Sequence, residues 1–247
     1  FFSNGLGSYV NFPASEYICY IDQLKWEMDK EQLTFGNKDV LSKSRSQFIS
    51  TNKNQDSLTF YAKSADYSLR DYVINASGVD SIAIADAIIY PDSAQLIVSR
   101  NAEVQTLKNS KLLLDTLVRY HEFDNATVDI FGKNNYEASG DYIYIDALKN
   151  KQPIFFSEIV VNEDTISVAS GNVNQTQEFK IGSRYNYYGD IKLIGDRKDL
   201  KFTGYFKLSH NCSAFLKEWI SFSSFIDLNN IYFTFDKELY SNKDNKL

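Results

Sequence analysis

The sequence predicts an all-β protein, built as a repetitive β-solenoid-like or elongated β-sheet scaffold with one or two short helices. A β-sandwich is the alternative architecture. Three observations favour this class: Tyr and Phe are abundant (17 and 18 residues), apolar and polar residues alternate, and small residues recur at similar intervals. Apolar residues make up 43% of the 247 residues, which excludes intrinsic disorder.

The alternation is clearest where one lysine stands between two apolar residues. Neighbours on a strand point to opposite faces, so the lysine meets solvent while its flanks are buried. The four lysines also form a candidate basic stripe on one sheet face, although such lysines equally serve to prevent aggregation between sheet edges. The pattern occurs at Phe179-Lys180-Ile181, Ile191-Lys192-Leu193, Leu200-Lys201-Phe202 and Phe206-Lys207-Leu208.

The recurring small residues, often preceded by a polar residue, stand just before short β-branched or aromatic segments that are predicted to be strands. The steps between them are 15, 24, 14, 17, 14, 18 and 15 residues, and a repeating β-scaffold explains such a degenerate period. This repeat predicts architecture and carries no chemistry. Its members are Ala87, Ala102, Ala126, Gly140, Ser157, Gly171, Gly189 and Gly204.

Four segments depart from simple alternation. Residues 108–120 have leucines at helical spacing and fall inside the step of 24, which predicts a helical insertion; residues 214–229 predict a short amphipathic helix. Residues 142–145 and 154–156 have no polar face. They are either central strands covered by another layer or strands with an aromatic outer surface.

Composition limits the domain organisation and the partners. We expect one elongated domain over residues 1–247, with a division near residues 70–80 as the alternative, in a processed chain or a piece of a larger protein. The net charge of −6 argues against nucleic acid as a partner, since no basic surface is offered to phosphates. No run of about 18 apolar residues is present, so no membrane-spanning segment is predicted.

Cysteines and histidines are few. Cys19 and Cys212 are far apart in sequence, without metal or redox spacing, and are either one long-range disulfide or two buried thiols. On a strand, His121 points away from its acidic neighbours, and His210 has no adjacent acid to orient it. The sequence therefore predicts no catalytic residue, no metal site and no cofactor.

Tyrosines are the predicted ligand-binding residues. Tyr185, Tyr187 and Tyr188 lie close together, and exposed tyrosines stack on sugar rings or anchor a protein partner; packing under a neighbouring layer is the alternative. Asp141 and Asp146 bracket a Tyr/Ile strand, as the paired acids of a glycoside hydrolase would, but they do not differ from other acids at strand ends.

Three segments resemble stretches of large uncharacterised envelope proteins from Bacteroidota. The resemblance covers about residues 55–210 and supplies no active site. It implies export across the inner membrane, an extracytoplasmic location at the cell surface or in the periplasm, and a β-rich repeat. The segments are Gln55-Asp56-Ser57-Leu58-Thr59-Phe60, Ile84-Ala85-Asp86-Ala87-Ile88-Ile89-Tyr90-Pro91 and Tyr136-Glu137-Ala138-Ser139-Gly140-Asp141-Tyr142.

Three functions follow as hypotheses. The first is a non-catalytic extracytoplasmic scaffold, whose partners are other envelope proteins or the rest of a larger polypeptide. The second is a carbohydrate-binding or carbohydrate-cleaving β-protein, which requires exposed tyrosines beside carboxylates. The third is a groove that conducts lipid or lipopolysaccharide, which requires an apolar interior left uncovered.

Overall fold

The computed structural model describes residues 9–20, 23–36, 45–115, 119–209, 218–228, 231–233 and 240–243. Within them the protein is all-β, which confirms the predicted class. The strands are β1 (Tyr9–Phe12), β2 (Tyr17–Tyr20), β3 (Leu24–Glu27), β4 (Gln32–Gly36), β5 (Ser46–Ser50), β6 (Thr59–Ala62), β7 (Ser64–Ser68), β8 (Val73–Ser77), β9 (Ile82–Ile84), β10 (Ala87–Tyr90), β11 (Gln95–Val98), β12 (Leu107–Leu114), β13 (His121–Gly132), β14 (Asn135–Ile145), β15 (Lys151–Val161), β16 (Ser167–Val173), β17 (Lys180–Gly182), β18 (Tyr185–Ile194), β19 (Leu200–Leu208) and β20 (Ile220–Ile226).

Helical structure in the described part is limited to single 3-10 turns, so both helix predictions are wrong where they can be compared. Residues 107–114 form β12, in which three successive leucines are buried; a strand covered on both faces has the same apolar run as a buried helix. Residues 220–226 form β20. Residues 116–118, 214–217 and 229 lie outside the described part. The 3-10 turns are Met28–Lys30, Lys53–Gln55, Asp92–Ala94, Arg100–Ala102 and Gln175–Gln177.

Two smaller sheets pack against each other in the N-terminal part of the chain. One has the strand order β1-β2-β5-β6, and the other has the order β11-β8-β7-β4-β3. Phe12 of the first sheet contacts Phe35 and Tyr67 of the second, with ring centroids 5.2 and 4.6 Å apart. This arrangement is sandwich-like.

The third sheet is a long antiparallel meander that curls into a half-barrel. Its order is β20-β19-β18-β16-β15-β14-β13-β12-β10-β9, and β17 pairs with β18 beside this path. The strand pairs described in all three sheets are antiparallel. Stacked solenoid rungs pair in parallel, and the described strands do not form such rungs.

The recurring small residues have a different origin from the one predicted. Beside Ala126, Gly140 and Ser157, the register of the β13–β14, β14–β15 and β15–β16 pairs shifts, as at β-bulges that bend a sheet. The interval of 14–18 residues is therefore about the length of one strand and its connection in a meander. The small residues on these consecutive strands are Ala126, Gly140, Ser157, Gly171, Gly189 and Gly204.

Two glycines mark the closest approach between strands. Gly189 and Gly204 lie opposite each other on β18 and β19, and Gly189 has a φ of +141°. A Cβ on Gly204 would lie 2.4 Å from the carbonyl oxygen of Tyr188, and one on Gly189 would lie 2.6 Å from that of Thr203. Only glycine fits on both strands at this point.

Aromatic rings fill the concave side of the large sheet. Tyr144 contacts Phe202 at 5.8 Å between ring centroids, and Phe202 contacts Tyr187 at 5.1 Å. Phe123 packs edge-on against Phe156 at 5.4 Å. All five side chains are buried, and the buried residues of the three sheets belong to one hydrophobic cluster. The division near residues 70–80 stays a prediction.

The outer side of the large sheet follows the predicted alternation. Lys192 is exposed between the buried Ile191 and Leu193. In the segment without a polar face, Ile143 and Ile145 are 41% and 44% exposed while the tyrosines between and before them point inward. The outer surface of this strand therefore consists of isoleucines rather than of the aromatic residues expected under the second alternative.

Candidate functional site

The predicted tyrosines lie on both faces of β18. Tyr187 is buried, and its hydroxyl donates to the carbonyl oxygens of Asp190 and Thr203 at 2.7 and 3.1 Å. Burial raises the pKa of Tyr187, against the lowering effect of the Thr203 carbonyl. Tyr187 is thus a core residue that a ligand does not reach in this structure.

Tyr185 and Tyr188 have different surroundings. Tyr185 is half-buried against Phe233, with ring centroids 4.9 Å apart. Tyr188 is on the outer face, stacked on Tyr205 at 5.1 Å and edge-on to Trp219 at 4.8 Å. The three predicted tyrosines therefore do not share one binding surface.

A cleft of about 840 Å³ opens at one end of the curled sheet. The start of β13, the turn between β14 and β15, the residues before β19 and the end of β20 surround it. Its lining includes five acidic side chains and three lysines among the described residues. Converging acids are the feature by which a polysaccharide-cleaving site is recognised, so the partners of these acids decide what the cleft can do.

Two acids of the cleft have structural partners. Asp146 is buried; its Oδ1 accepts the backbone N–H groups of Leu148 and Asn150 at 2.8 and 2.9 Å, and its Oδ2 accepts the Asn150 side-chain amide at 3.0 Å. Burial acts to raise the pKa of Asp146, but these hydrogen bonds lower it overall. Asp146 therefore shapes the turn as an ionised group, while Glu122 pairs with Lys111 at 2.6 Å.

The acids Asp141 and Asp146 do not face each other. They are five residues apart along β14 and its end, which is about 17 Å in an extended strand. Asp141 is on the outer face and accepts a hydrogen bond from Asn125 at 3.0 Å. Paired acids of glycoside hydrolases are about 5–9.5 Å apart, so these two do not form such a pair.

His121 joins β13 to the turn after β18. It is 1% exposed, and its Nε2 lies 2.6 Å from the carbonyl oxygen of Arg197, which only accepts, so Nε2 carries the proton. Nδ1 is then the acceptor for the Tyr142 hydroxyl at 3.2 Å. Burial lowers the pKa of His121 against the opposing effects of the Arg197 carbonyl and Asp115, and burial raises the pKa of Tyr142 to about 12. The imidazole is therefore neutral.

This burial predicts a pH-dependent stability. The unfolded His121 takes up its proton at a pH of about 6.5, whereas the folded residue does so only at lower pH. The free energy of unfolding should therefore fall as the pH is lowered from about 6.5 toward the folded-state pKa, because the unfolded chain binds the extra proton. Urea unfolding of the wild type and of His121→Gln between about pH 7 and pH 5 measures this. The same pH dependence in both proteins would contradict the prediction.

A second polar bridge joins the turn before β10 to β16. The Ser167 backbone N–H donates to Asp86 Oδ2 at 3.0 Å, and the Ser167 hydroxyl donates to Asp86 Oδ1. The hydroxyls of Tyr136 and Ser167 are 2.6 Å apart, so Ser167 accepts from Tyr136. Ser167 and Tyr136 are fully buried, and burial raises the pKa of Tyr136. We call these three residues the Asp86 latch.

Comparison of the chain with protein-family models, with curated proteins and with solved structures finds no match. The resemblance to Bacteroidota envelope proteins stays a prediction. In the part of the chain that the structure describes, no helix has the length and apolar character needed to cross a membrane. No group of three or more His, Cys, Asp or Glu side chains in that part is placed to hold a metal ion.

Only Cys19 of the two cysteines lies in the part of the chain that the structure describes. Cys19 is a free thiol, buried on β2, and burial raises its pKa. Cys212 and its neighbour His210 lie outside the described residues. Cys19 is therefore a buried thiol, which is one of the two alternatives predicted for the cysteines.

Sequence reasoning missed both bridging residues. Asp86 and His121 contact partners that are 81 and 76 residues away in the chain. No local pattern reports such a distance.

Proposed function

We propose that this chain is a rigid structural and interaction module of a larger extracytoplasmic protein. The observation that carries the proposal is that the curl is tied by hydrogen bonds between strands that are not neighbours. The Asp86 latch joins the β9–β10 turn to β16, His121 joins β13 to the turn after β18, and the Tyr144 hydroxyl donates to the carbonyl of Ile181 on β17 at 2.8 Å.

These bridges make opening of the curl costly. Each involves a buried side chain, and separating the partners would leave polar groups in an apolar interior at about 1–3 kcal/mol each. A fixed shape suits a part that spaces or presents other surfaces. A lipid-conducting groove requires the opposite, since its apolar interior must become accessible, and here aromatic rings occupy that side.

Native-state hydrogen exchange tests this rigidity. We expect the amides of β16 and β18, which are joined to other strands across the curl, to exchange only with a free energy equal to that of global unfolding. Exchange of β16 and β18 through a partial opening of much lower free energy would overturn the proposal and favour a groove that opens.

The extracytoplasmic location is part of the proposal and is supported by the resemblance of the three segments. Protease added to intact cells of the source organism tests it. We expect cleavage either in intact cells, for a surface location, or after permeabilisation of the outer membrane, for a periplasmic one. Cleavage only after full lysis would contradict the location.

A further inference from the structure

The outer face of the four-stranded sheet carries a continuous row of three exposed tyrosines and one half-buried glutamine. Tyr9 on β1 lies opposite Tyr20 on β2, Tyr20 lies opposite Gln47 on β5, and Gln47 lies opposite Tyr61 on β6. We call these four residues the tyrosine row. It crosses every strand of the sheet, and three spacings of about 4.8 Å give it a length of roughly 14 Å.

The rings of the row are open to solvent. Tyr9, Tyr20 and Tyr61 are 58%, 37% and 48% exposed. The Tyr9 and Tyr20 ring centroids are 5.9 Å apart, and the Gln47 side-chain amide donates to the Tyr61 hydroxyl at 3.1 Å. Such an arrangement leaves ring faces free while the polar groups are oriented by one another.

The sheet beneath the row is fixed. Phe48 and Phe60, the neighbours of Gln47 and Tyr61 on the opposite face, are fully buried and stack at 4.9 Å with an interplanar angle of 5°. The row therefore stands on a packed core, and its residues need little ordering when a ligand binds.

The face is uncharged. None of the residues of β1, β2, β5 and β6 carries a charge, and Arg45, which precedes β5, is paired with Asp80. Beside the tyrosine row run Asn11 and Thr59, at the two ends of a second row that also contains two isoleucines. Aromatic faces, amides and hydroxyls thus alternate without any ion.

We propose that the tyrosine row binds a neutral carbohydrate chain laid across the four strands. The negative faces of the tyrosine rings attract the C–H groups on the flat side of a sugar ring, and burying them removes apolar surface from water. Gln47, Asn11 and Thr59 are placed to exchange hydrogen bonds with sugar hydroxyls. This site is separate from Tyr185, Tyr187 and Tyr188.

Other ligand classes fit the face less well. A nucleic acid or an acidic polymer requires lysines or arginines for its anionic groups, and these four strands have none. A purely apolar protein surface would desolvate the tyrosine hydroxyls and the Gln47 amide without replacing their hydrogen bonds with water. A neutral, hydroxyl-rich ligand satisfies both requirements.

Affinity electrophoresis in gels containing one soluble neutral polysaccharide at a time tests the proposal, with a β-glucan, a mannan and an α-glucan as probes and alginate as the anionic comparison. We expect retardation by at least one neutral polymer, little dependence on salt, and no retardation by alginate. Tyr20→Ala and Tyr61→Ala should each weaken binding at least about tenfold, as loss of a stacking ring does. Tyr61→Phe keeps the ring and should weaken binding less.

Tyr232→Ala is the matched control, since Tyr232 is 65% exposed and lies outside the tyrosine row. It should bind like the wild type. Retention of all variants by the neutral polymer, retardation by none of the three, or binding that declines steeply with salt would overturn the proposal. The hydrogen exchange of β16 and β18 in Tyr20→Ala tests the rigid-module proposal independently, so failure of one proposal is distinguishable from failure of the other.

Discussion

Replacing Asp86 with Ala is expected to lower the free energy of unfolding by about 3 kcal/mol. The carboxylate accepts both the backbone N–H and the hydroxyl of Ser167, and Ser167 in turn accepts from Tyr136. Ser167 and Tyr136 are fully buried, so water does not replace the lost partner. A buried polar group left without its hydrogen bond costs about 1–3 kcal/mol, and two such donors are left here.

Urea unfolding of Asp86→Ala, Ser167→Ala and the double variant measures this effect. The coupling free energy of the double-mutant cycle should exceed about 1 kcal/mol, because the two residues form one hydrogen-bonded group. Asp29→Ala removes an exposed acid elsewhere and should change stability by less than about 0.5 kcal/mol. Additive effects of Asp86→Ala and Ser167→Ala would show that the latch is not a unit.

Gly204→Ala is expected to destabilise the protein by a similar amount, about 3 kcal/mol. The added Cβ would lie 2.4 Å from a backbone oxygen and 2.8 Å from the Cα of Gly189. Neither neighbour is the free end of a side chain, so β18 and β19 must separate and their hydrogen bonds must lengthen. Thermal or urea unfolding detects the loss.

Gly182→Ala makes the same chemical change where the contact can yield. Its Cβ would meet the Cδ1 of Ile231 at 2.7 Å, which is the end of a flexible side chain. We expect a change below about 1 kcal/mol. If both alanine variants were equally stable, the close approach at Gly189 and Gly204 would not be a requirement of the fold.

Where apolar and polar residues alternate, the sequence was sufficient to predict which residues of a strand are buried. Lys192 between Ile191 and Leu193 shows why: alternation is a local property that survives whatever the sheet packs against. The leucines of β12 show the limit, because a strand buried on both faces loses the alternation and has the apolar run of a helix.

Arrangement between strands could not be predicted in the same way. The repeat of small residues was visible, but both a solenoid and a meander place a small residue at similar intervals. Only the direction of strand pairing, antiparallel as between β18 and β19, distinguishes them. The tyrosine row was missed for the same reason. Tyr9, Tyr20 and Tyr61 are scattered in sequence and meet only through the register of three strand pairs.

The long reach of the Asp86 latch has a consequence for how the chain folds. The hairpins of the meander join residues that are close in sequence, whereas the latch closes a loop of 81 residues. Contacts of such separation form late, because the entropy of loop closure opposes them until the local hairpins exist. During synthesis the turn between β9 and β10 therefore lacks its hydrogen bonds to Ser167 until β16 has been made. A truncated chain that ends before Ser167 is expected to expose these strands and to aggregate.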